Sequence, residues 1–175
     1  HNLKLRGSIV SGNQAVGLTS GSGGSVAIGG GIAAAGNIYA FQSTISGNYA
    51  TGPTLASPIG VGGGLYAHGG VNIRYSTISG NVAGKGIGGF FVNGGYQAEF
   101  IDSTISGNAA PYGVIGGGAI ANTSNVYFYN STLAFNTAAA ASYGASVYAA
   151  GLVVKGVGVS SGKTVPVIMS STLMS

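Results

Sequence analysis

Apolar and polar positions alternate along this chain in short bursts, and the bursts return in a fixed order. The phrase Ser-Thr-Ile-Ser-Gly-Asn occurs at Ser43–Asn48, Ser76–Asn81 and Ser103–Asn108, with degenerate copies at Ser8–Asn13, Ser131–Asn136 and, more faintly, Val157–Gly162. Their starts, at 8, 43, 76, 103, 131 and 157, lie 35, 33, 27, 28 and 26 residues apart. A period near 30 that varies by several residues suits a coil of short strands whose corner loops differ in length. Helical repeats hold a fixed length and fit poorly. A second phrase precedes each hexamer: Gly29-Gly-Gly-Ile32, Gly62-Gly-Gly-Leu65, Gly88-Gly-Phe90 and Gly116-Gly-Gly-Ala119. Each repeat therefore reads as a glycine corner, a first strand, a turn, a second strand, then a hexamer strand ending on Asn.

Alternation with period two assigns the faces. On the first strand the expected inward column is Ile32, Leu65, Phe90, Ala119 and Val147, followed by Ala34, Ala67, Val92, Ala121 and Ala149. On the second it is Leu3, Ile38, Val71, Ala98, Val126 and Leu152, with Leu5, Ala40, Ile73, Phe100, Phe128 and Val154 beside them. On the hexamer it is Val10, Ile45, Ile78, Ile105, Leu133 and Val159. Columns so uniformly apolar predict that successive coils stack strand on strand at the usual spacing of about 4.8 Å, with backbone hydrogen bonds running between coils. The fold class that follows is all-β: a parallel β-helix of about five to six coils with three short strands each, forming one domain over residues 1–175. The closing asparagines, Asn13, Asn48, Asn81, Asn108 and Asn136, are expected to stack as a side-chain amide ladder at one corner. The glycine before four of them permits positive φ there. Pro53, Pro58 and Pro111 fall between Asn and the next glycine phrase, in stretches read as loops.

Composition narrows the function. Charged residues make up 5% of the chain, against about 25% in ordinary domains, and 35 of 175 residues are glycine. The charge-free stretch from Thr137 to Val154 is the best candidate for a membrane span, but Ser142, Gly144, Ser146 and Gly151 dilute it and its second half fits the repeat. No transmembrane segment is expected. The net charge of +4 comes from scattered cations, so a nucleic-acid partner is not expected. Absence of cysteine excludes a disulfide scaffold. No leader sequence is recognised at His1, which is the expectation for a processed chain or a fragment.

With its Gly-Gly-Gly-Ile/Leu strands and repeated Ser-Thr-Ile-Ser-Gly-Asn, the chain resembles bacterial right-handed parallel β-helix repeat proteins of pectate-lyase-like architecture. It looks most like their surface-exposed relatives, the autotransporter passengers and polymorphic outer-membrane proteins. The resemblance covers roughly residues 2–162. It implies a right-handed coil and a secreted or cell-surface location in a bacterium, while the family's activities range over enzymes, adhesins and stalks.

The residues offer little catalytic chemistry. Glycoside hydrolysis takes two carboxyls facing each other across the substrate, and the chain holds only Glu99 and Asp102, three apart on one strand. They read as a solvated acidic spot beside Arg74, and no third acid completes a calcium cage. His68 has no Ser, Cys, Asp or Glu near it in its coil and reads as a surface residue. No catalysis, cofactor or metal is therefore expected. Asn122-Thr-Ser and Asn130-Ser-Thr match the glycosylation sequon, a pattern common in so Ser/Thr/Asn-rich a chain.

The outward columns are more informative. Tyr39, Phe41, Tyr66, Arg74, Phe91, Ile120, Tyr127, Tyr129 and Tyr148 form the candidate contact surface, because aromatic groups gathered on the outside of a rod suggest contact with another surface. The hexamer faces out with Thr44/Ser46, Thr77/Ser79 and Thr104/Ser106, an array similar to ice-binding β-helices, though it fails at Ala134. Neither end carries a polar cap. The chain is thus expected to be part of a longer passenger, or to complete its partial coils with those of other subunits head to tail. Three functions follow as expectations: a structural or adhesive extracellular solenoid that self-associates into a fibre, a carbohydrate-binding domain of a surface protein, and ice binding.

Overall fold

A computed structural model of the chain describes residues 1–17, 19–20, 23–24, 26–52, 60–84, 86–95, 97–113, 115–138, 151–155, 167–170 and 173–175. Among them there is no helix. The strands gather into stacked parallel sheets that make a β-solenoid of about five coils. The first-strand sheet runs through Ile32–Ala34, Leu65–Ala67, Phe90–Asn93, Gly118–Ala121 and Leu152–Lys155. The second-strand sheet runs through Leu3–Arg6, Ile38–Phe41, Val71–Arg74, Gln97–Ile101, Asn125–Tyr129 and Val167–Ser170. The hexamer sheet runs through Ile9–Ser11, Thr44–Ser46, Thr77–Ser79, Thr104–Ser106, Thr132–Ala134 and Leu173–Met174.

The structure adds a fourth strand to each coil. Gln14–Val16, Tyr49–Thr51, Val82–Ala83, Ala109–Ala110 and Thr137–Ala138 pair in parallel immediately after the asparagines, where the prolines had suggested loops from the start. Ala50, Ala83 and Ala110 point inward from this sheet and are buried. These small side chains belong on the side of the coil where the next glycine phrase crosses close by.

The core is one cluster drawn from all the inward columns. Phe100 and Phe128, one coil apart in the same column, stack with ring centroids 4.7 Å apart and planes 2° from parallel. Phe90 reaches Phe100 from the first strand at 4.8 Å.

Both ends of the hexamer are polar ladders, buried from the second copy onward. At the far end, each Asn Oδ1 accepts the backbone N–H and the side-chain Nδ2 of the asparagine one coil earlier, from Asn13 to Asn48, Asn81, Asn108 and Asn136, all at 2.9–3.1 Å. The spare Nδ2 proton goes to a core carbonyl of the preceding coil, as in Asn81 to Ile45 and Asn108 to Ile78. At the near end, the hexamer's first serine makes a second ladder: the N–H of Ser8, Ser43, Ser76 and Ser103 each donates to the serine Oγ of the next coil. Each Oγ in turn donates to the carbonyl two residues before it. Complete satisfaction matters here, because a buried amide or hydroxyl left without a partner costs about 1–3 kcal/mol.

The two sequence phrases meet in space. A Cβ on Gly31 would lie 2.7 Å from Asn48 Cγ, and one on Gly64 would lie 2.8 Å from Asn81 Nδ2, so the glycine corner is packed against the asparagine ladder. The glycine before each Asn serves differently. Gly12, Gly47, Gly80 and Gly107 hold φ of 61–66°, yet a Cβ there would meet at most one atom, at 3.9 Å. Conformation, and not space, selects glycine at that corner. Phe135 takes the same corner in the fifth copy with φ of 57° and is 80% exposed.

Two column assignments change. Counting from the end of the glycine run had put Ala119 and Ala121 in the inward columns and Ile120 outside. In the structure Gly118 pairs with Phe90 and Ile120 with Val92, and Ile120 is core, 1% exposed. Phe90's ring occupies the space that a Cβ at position 118 would need. The third glycine therefore belongs to the strand, where it faces inward, and everything after it shifts by one. In the last coil Leu152 and Val154 pair with Gly118 and Ile120 and so belong to the first-strand sheet. Their place in the second-strand sheet is taken by Val167–Ser170, and Leu133 pairs with Met174 in the hexamer sheet. Val147, Ala149 and Val159 lie outside the described residues.

Candidate functional site

The second-strand sheet presents the most chemically varied outward face. Its register aligns Lys4, Tyr39, Asn72, Glu99 and Tyr127 in one column and Arg6, Phe41, Arg74, Ile101 and Tyr129 in the other. Alternation forces these side chains outward, because Ile38, Ala40, Val71, Ile73, Ala98, Phe100, Val126 and Phe128 between them are core.

The middle of this face is a closed polar triangle. Arg74 donates from one terminal guanidinium nitrogen to Glu99 Oε2 at 2.8 Å and from Nε to Asn72 Oδ1 at 2.8 Å, and Asn72 Nδ2 donates to the same Glu99 oxygen. The expected pairing of Glu99 with Arg74 across one coil is present. The expected solvation is not: Glu99 is 9% exposed, because Asn72 and Arg74 lie over it. Asp102 stands apart, exposed at the corner that follows.

Aromatic groups flank the triangle. On one side Tyr39 and Phe41 come before it in the stack; Phe41 meets Tyr75 edge to face at 5.4 Å and carries the Arg6 guanidinium 5.7 Å from its ring centroid. On the other, Tyr127 and Tyr129 lie 6.0 Å apart and nearly parallel. Tyr39 and Tyr127 are three strands apart, about 14 Å at the usual spacing. Two depressions open beside Tyr39 and share Asn72. One is lined by Asn37, Tyr39, Gly70, Val71, Asn72 and Gln97. The other lies among Lys4, Arg6, Tyr39, Phe41, Asn72 and Arg74 and has a volume of about 370 Å³, at the small end of the roughly 300–1,000 Å³ typical of ligand sites.

The expected contact surface is thus divided. Tyr39, Phe41, Arg74, Tyr127 and Tyr129 share this sheet, whereas Tyr66 and Phe91 pair with each other on the first-strand sheet at 5.6 Å. Ile120 is withdrawn from the surface, being core, and Tyr148 lies outside the described residues. His68 is exposed, as expected. Tyr75, 56% exposed with φ of 51°, was not anticipated. It belongs to a corner series with Gly7, Gln42, Asp102 and Asn130, all at φ of 47–54°. The signal was present in the residue types, since Gly, Asn and Asp just before the hexamer mark a left-handed corner.

On the hexamer sheet Thr44, Thr77, Thr104 and Thr132 align beside Ser46, Ser79, Ser106 and Ala134. Ile9 opens the threonine column in place of Thr, and Ala134 is buried, so the hydroxyl array has gaps at both ends.

Among the described residues no three His, Cys, Asp or Glu side chains gather to hold a metal ion, and no helix is long and apolar enough to cross a membrane. Set against protein-family models, curated proteins and solved structures, the chain matches none of them.

Proposed function

We propose that this chain is an extracellular adhesive and structural β-solenoid, without catalysis, that holds an extended glycan along the outward face of its second-strand sheet. The observation that carries this is the arrangement of that face: aromatic pairs about 14 Å apart with a hydrogen-bonding triangle between them. Sugars present apolar C–H faces, which bury against aromatic rings, and hydroxyl edges, which need donors and acceptors; Tyr39 and Tyr127 supply the first, Asn72 and Arg74 the second. The stacked, ladder-stiffened coils support the structural part, because a preorganised face loses little entropy on binding. The bacterial surface placement, by resemblance to passenger-type solenoids, is part of the same proposal. A glycan array tests it: saturable binding to at least one polysaccharide, weakened about tenfold or more when Tyr127→Ala removes one platform, is the expected result. No binding to any glycan refutes it.

A second reading is self-association into a fibre. It draws on the outermost strands of the second-strand sheet, Leu3–Arg6 and Val167–Ser170, each paired on one side only among the described residues. A second copy could add its own end strand there. Electron microscopy at high protein concentration showing only monomers would exclude this reading.

A further inference from the structure

Charge on the second-strand face is unevenly placed. Lys4 and Arg6 lie on its outermost strand and Arg74 on the third, with Tyr39 and Phe41 between them, and all five line the larger depression. Two strand spacings separate Lys4 and Arg6 from Arg74, about 9.6 Å, a gap that long cationic side chains can close around a small group. The single carboxylate on the face, Glu99, is turned into the triangle with Arg74 and Asn72 and is mostly buried. Three cations and one carboxylate leave +2 on this face, half of the chain's net +4. Lys4 and Arg6 are exposed, and among the described residues neither forms a salt bridge. The Arg6 guanidinium is held instead over the Phe41 ring, a contact that fixes the plane of the fork while leaving its N–H groups to a ligand.

We propose that this depression is an anion site, in which Lys4, Arg6 and Arg74 receive a carboxylate or sulfate group carried on a sugar that packs on Tyr39 and Phe41. It rests on the glycan reading and names the ligand's charge. Guanidinium groups bind carboxylate and sulfate through paired N–H donors. Arg74 keeps one terminal nitrogen outside its bonds to Glu99 and Asn72. A polymer recognised this way would be an acidic polysaccharide. A nucleic acid is the less suitable occupant, since three cations in one depression do not make the long basic track that a phosphate backbone follows.

The test compares neutral dextran, carboxymethyl dextran and dextran sulfate, which share one backbone, by interferometry on the intact chain. Either charged dextran should bind about tenfold or more tightly than neutral dextran, and the preference should shrink as salt is raised toward about 1 M. Whichever charged dextran binds more tightly identifies the group as carboxylate or sulfate. Replacing Lys4→Ala and Arg6→Ala together, at exposed positions where folding is not at stake, should abolish the preference. Glu99→Gln, which removes the one negative charge while keeping the shape, should strengthen charged-dextran binding several-fold. Equal binding of neutral and charged dextrans, or a preference that survives loss of Lys4 and Arg6, overturns the anion site. If neutral dextran binds and Tyr127→Ala abolishes that binding, the glycan reading stands without it; if none of the three binds, the anion site falls, and the glycan reading falls with it only when the glycan array is blank as well. Tighter binding of single-stranded DNA than of dextran sulfate would also overturn it, in favour of a nucleic-acid surface.

Discussion

Replacing Asn81 by alanine tests the account of why the coils stand. Asn81 is fully buried at the third rung. Its Oδ1 accepts from the backbone N–H and Nδ2 of Asn48, and its own Nδ2 donates to Ile45 O and Asn108 Oδ1. After Asn81→Ala, Asn48 Nδ2 keeps Val10 O and Asn108 Oδ1 keeps the Asn81 backbone N–H, but the Asn48 N–H has lost the acceptor described for it. One orphaned buried donor costs about 1–3 kcal/mol, and the remaining lost bonds with a small void bring the total to roughly 3–5 kcal/mol. In a domain of this size that lowers Tm by roughly 6–20 °C. Asn13→Ala is the control. Asn13 lies on the exposed outer rung, donating to Asn48 Oδ1 and Ser11 O, and Asn48 Oδ1 retains the Asn13 N–H without the side chain. It should cost no more than about 0.5–1.5 kcal/mol. The assay is urea unfolding paired with hydrogen exchange, because a solenoid opens in segments and the midpoint alone can blur the site. The Asn48 amide should lose protection in Asn81→Ala and keep it in Asn13→Ala. Equal destabilisation by the two variants, or an Asn48 amide as protected as before, would refute the reasoning.

The same geometry gives three further outcomes. Gly107→Ala should cost about 1–2 kcal/mol, because an L residue at φ of 62° is strained though its Cβ has room; Gly31→Ala should cost more in the same unfolding assay, since its Cβ would strike Asn48 and backbone. Phe135→Gly should stabilise the chain by about 0.5–1 kcal/mol by relieving the same strain, read as a rise in Tm, and a fall would show that the exposed ring has a packing role. Gly118→Ala should cost about 1–3 kcal/mol through collision with the Phe90 ring, and Phe90→Leu in the same chain should recover part of it; additive effects in that double-mutant cycle would contradict the packing described.

The coil was legible because it repeats. Ile45, Ile78 and Ile105 occupy one column for the same reason in every copy, and the alternation around them could be read without knowing any neighbour. The asparagine ladder was legible too, since an amide recurring at a fixed phase has a copy of itself as its nearest partner. Legibility failed where copies differ in length. Gly118 looked like the last residue of a corner, and only the Phe90 ring above it reveals that it is a strand residue facing the core. The serine ladder was missed because Ser43, Ser76 and Ser103 are also ordinary turn residues; that each Oγ accepts an N–H from the coil before depends on the stacking distance.

For the candidate site the division is similar. Tyr39, Phe41, Arg74, Tyr127 and Tyr129 could be placed on an outward face by parity alone. That Glu99, on the same face, is covered and held by Arg74 and Asn72 follows from contacts between coils 25 and 27 residues apart.

By itself the sequence determined the period, the inward columns of the regular coils and the phase of the asparagines, because a two-residue alternation repeated about every 30 residues leaves one way to bury the apolar side. The tertiary structure alone decided the register of the irregular coils, the fourth strand, the serine ladder and the charge left free on the second-strand face. Each of these depends on which side chains of different coils compete for the same space or the same proton, and that competition exists only once the coils are stacked.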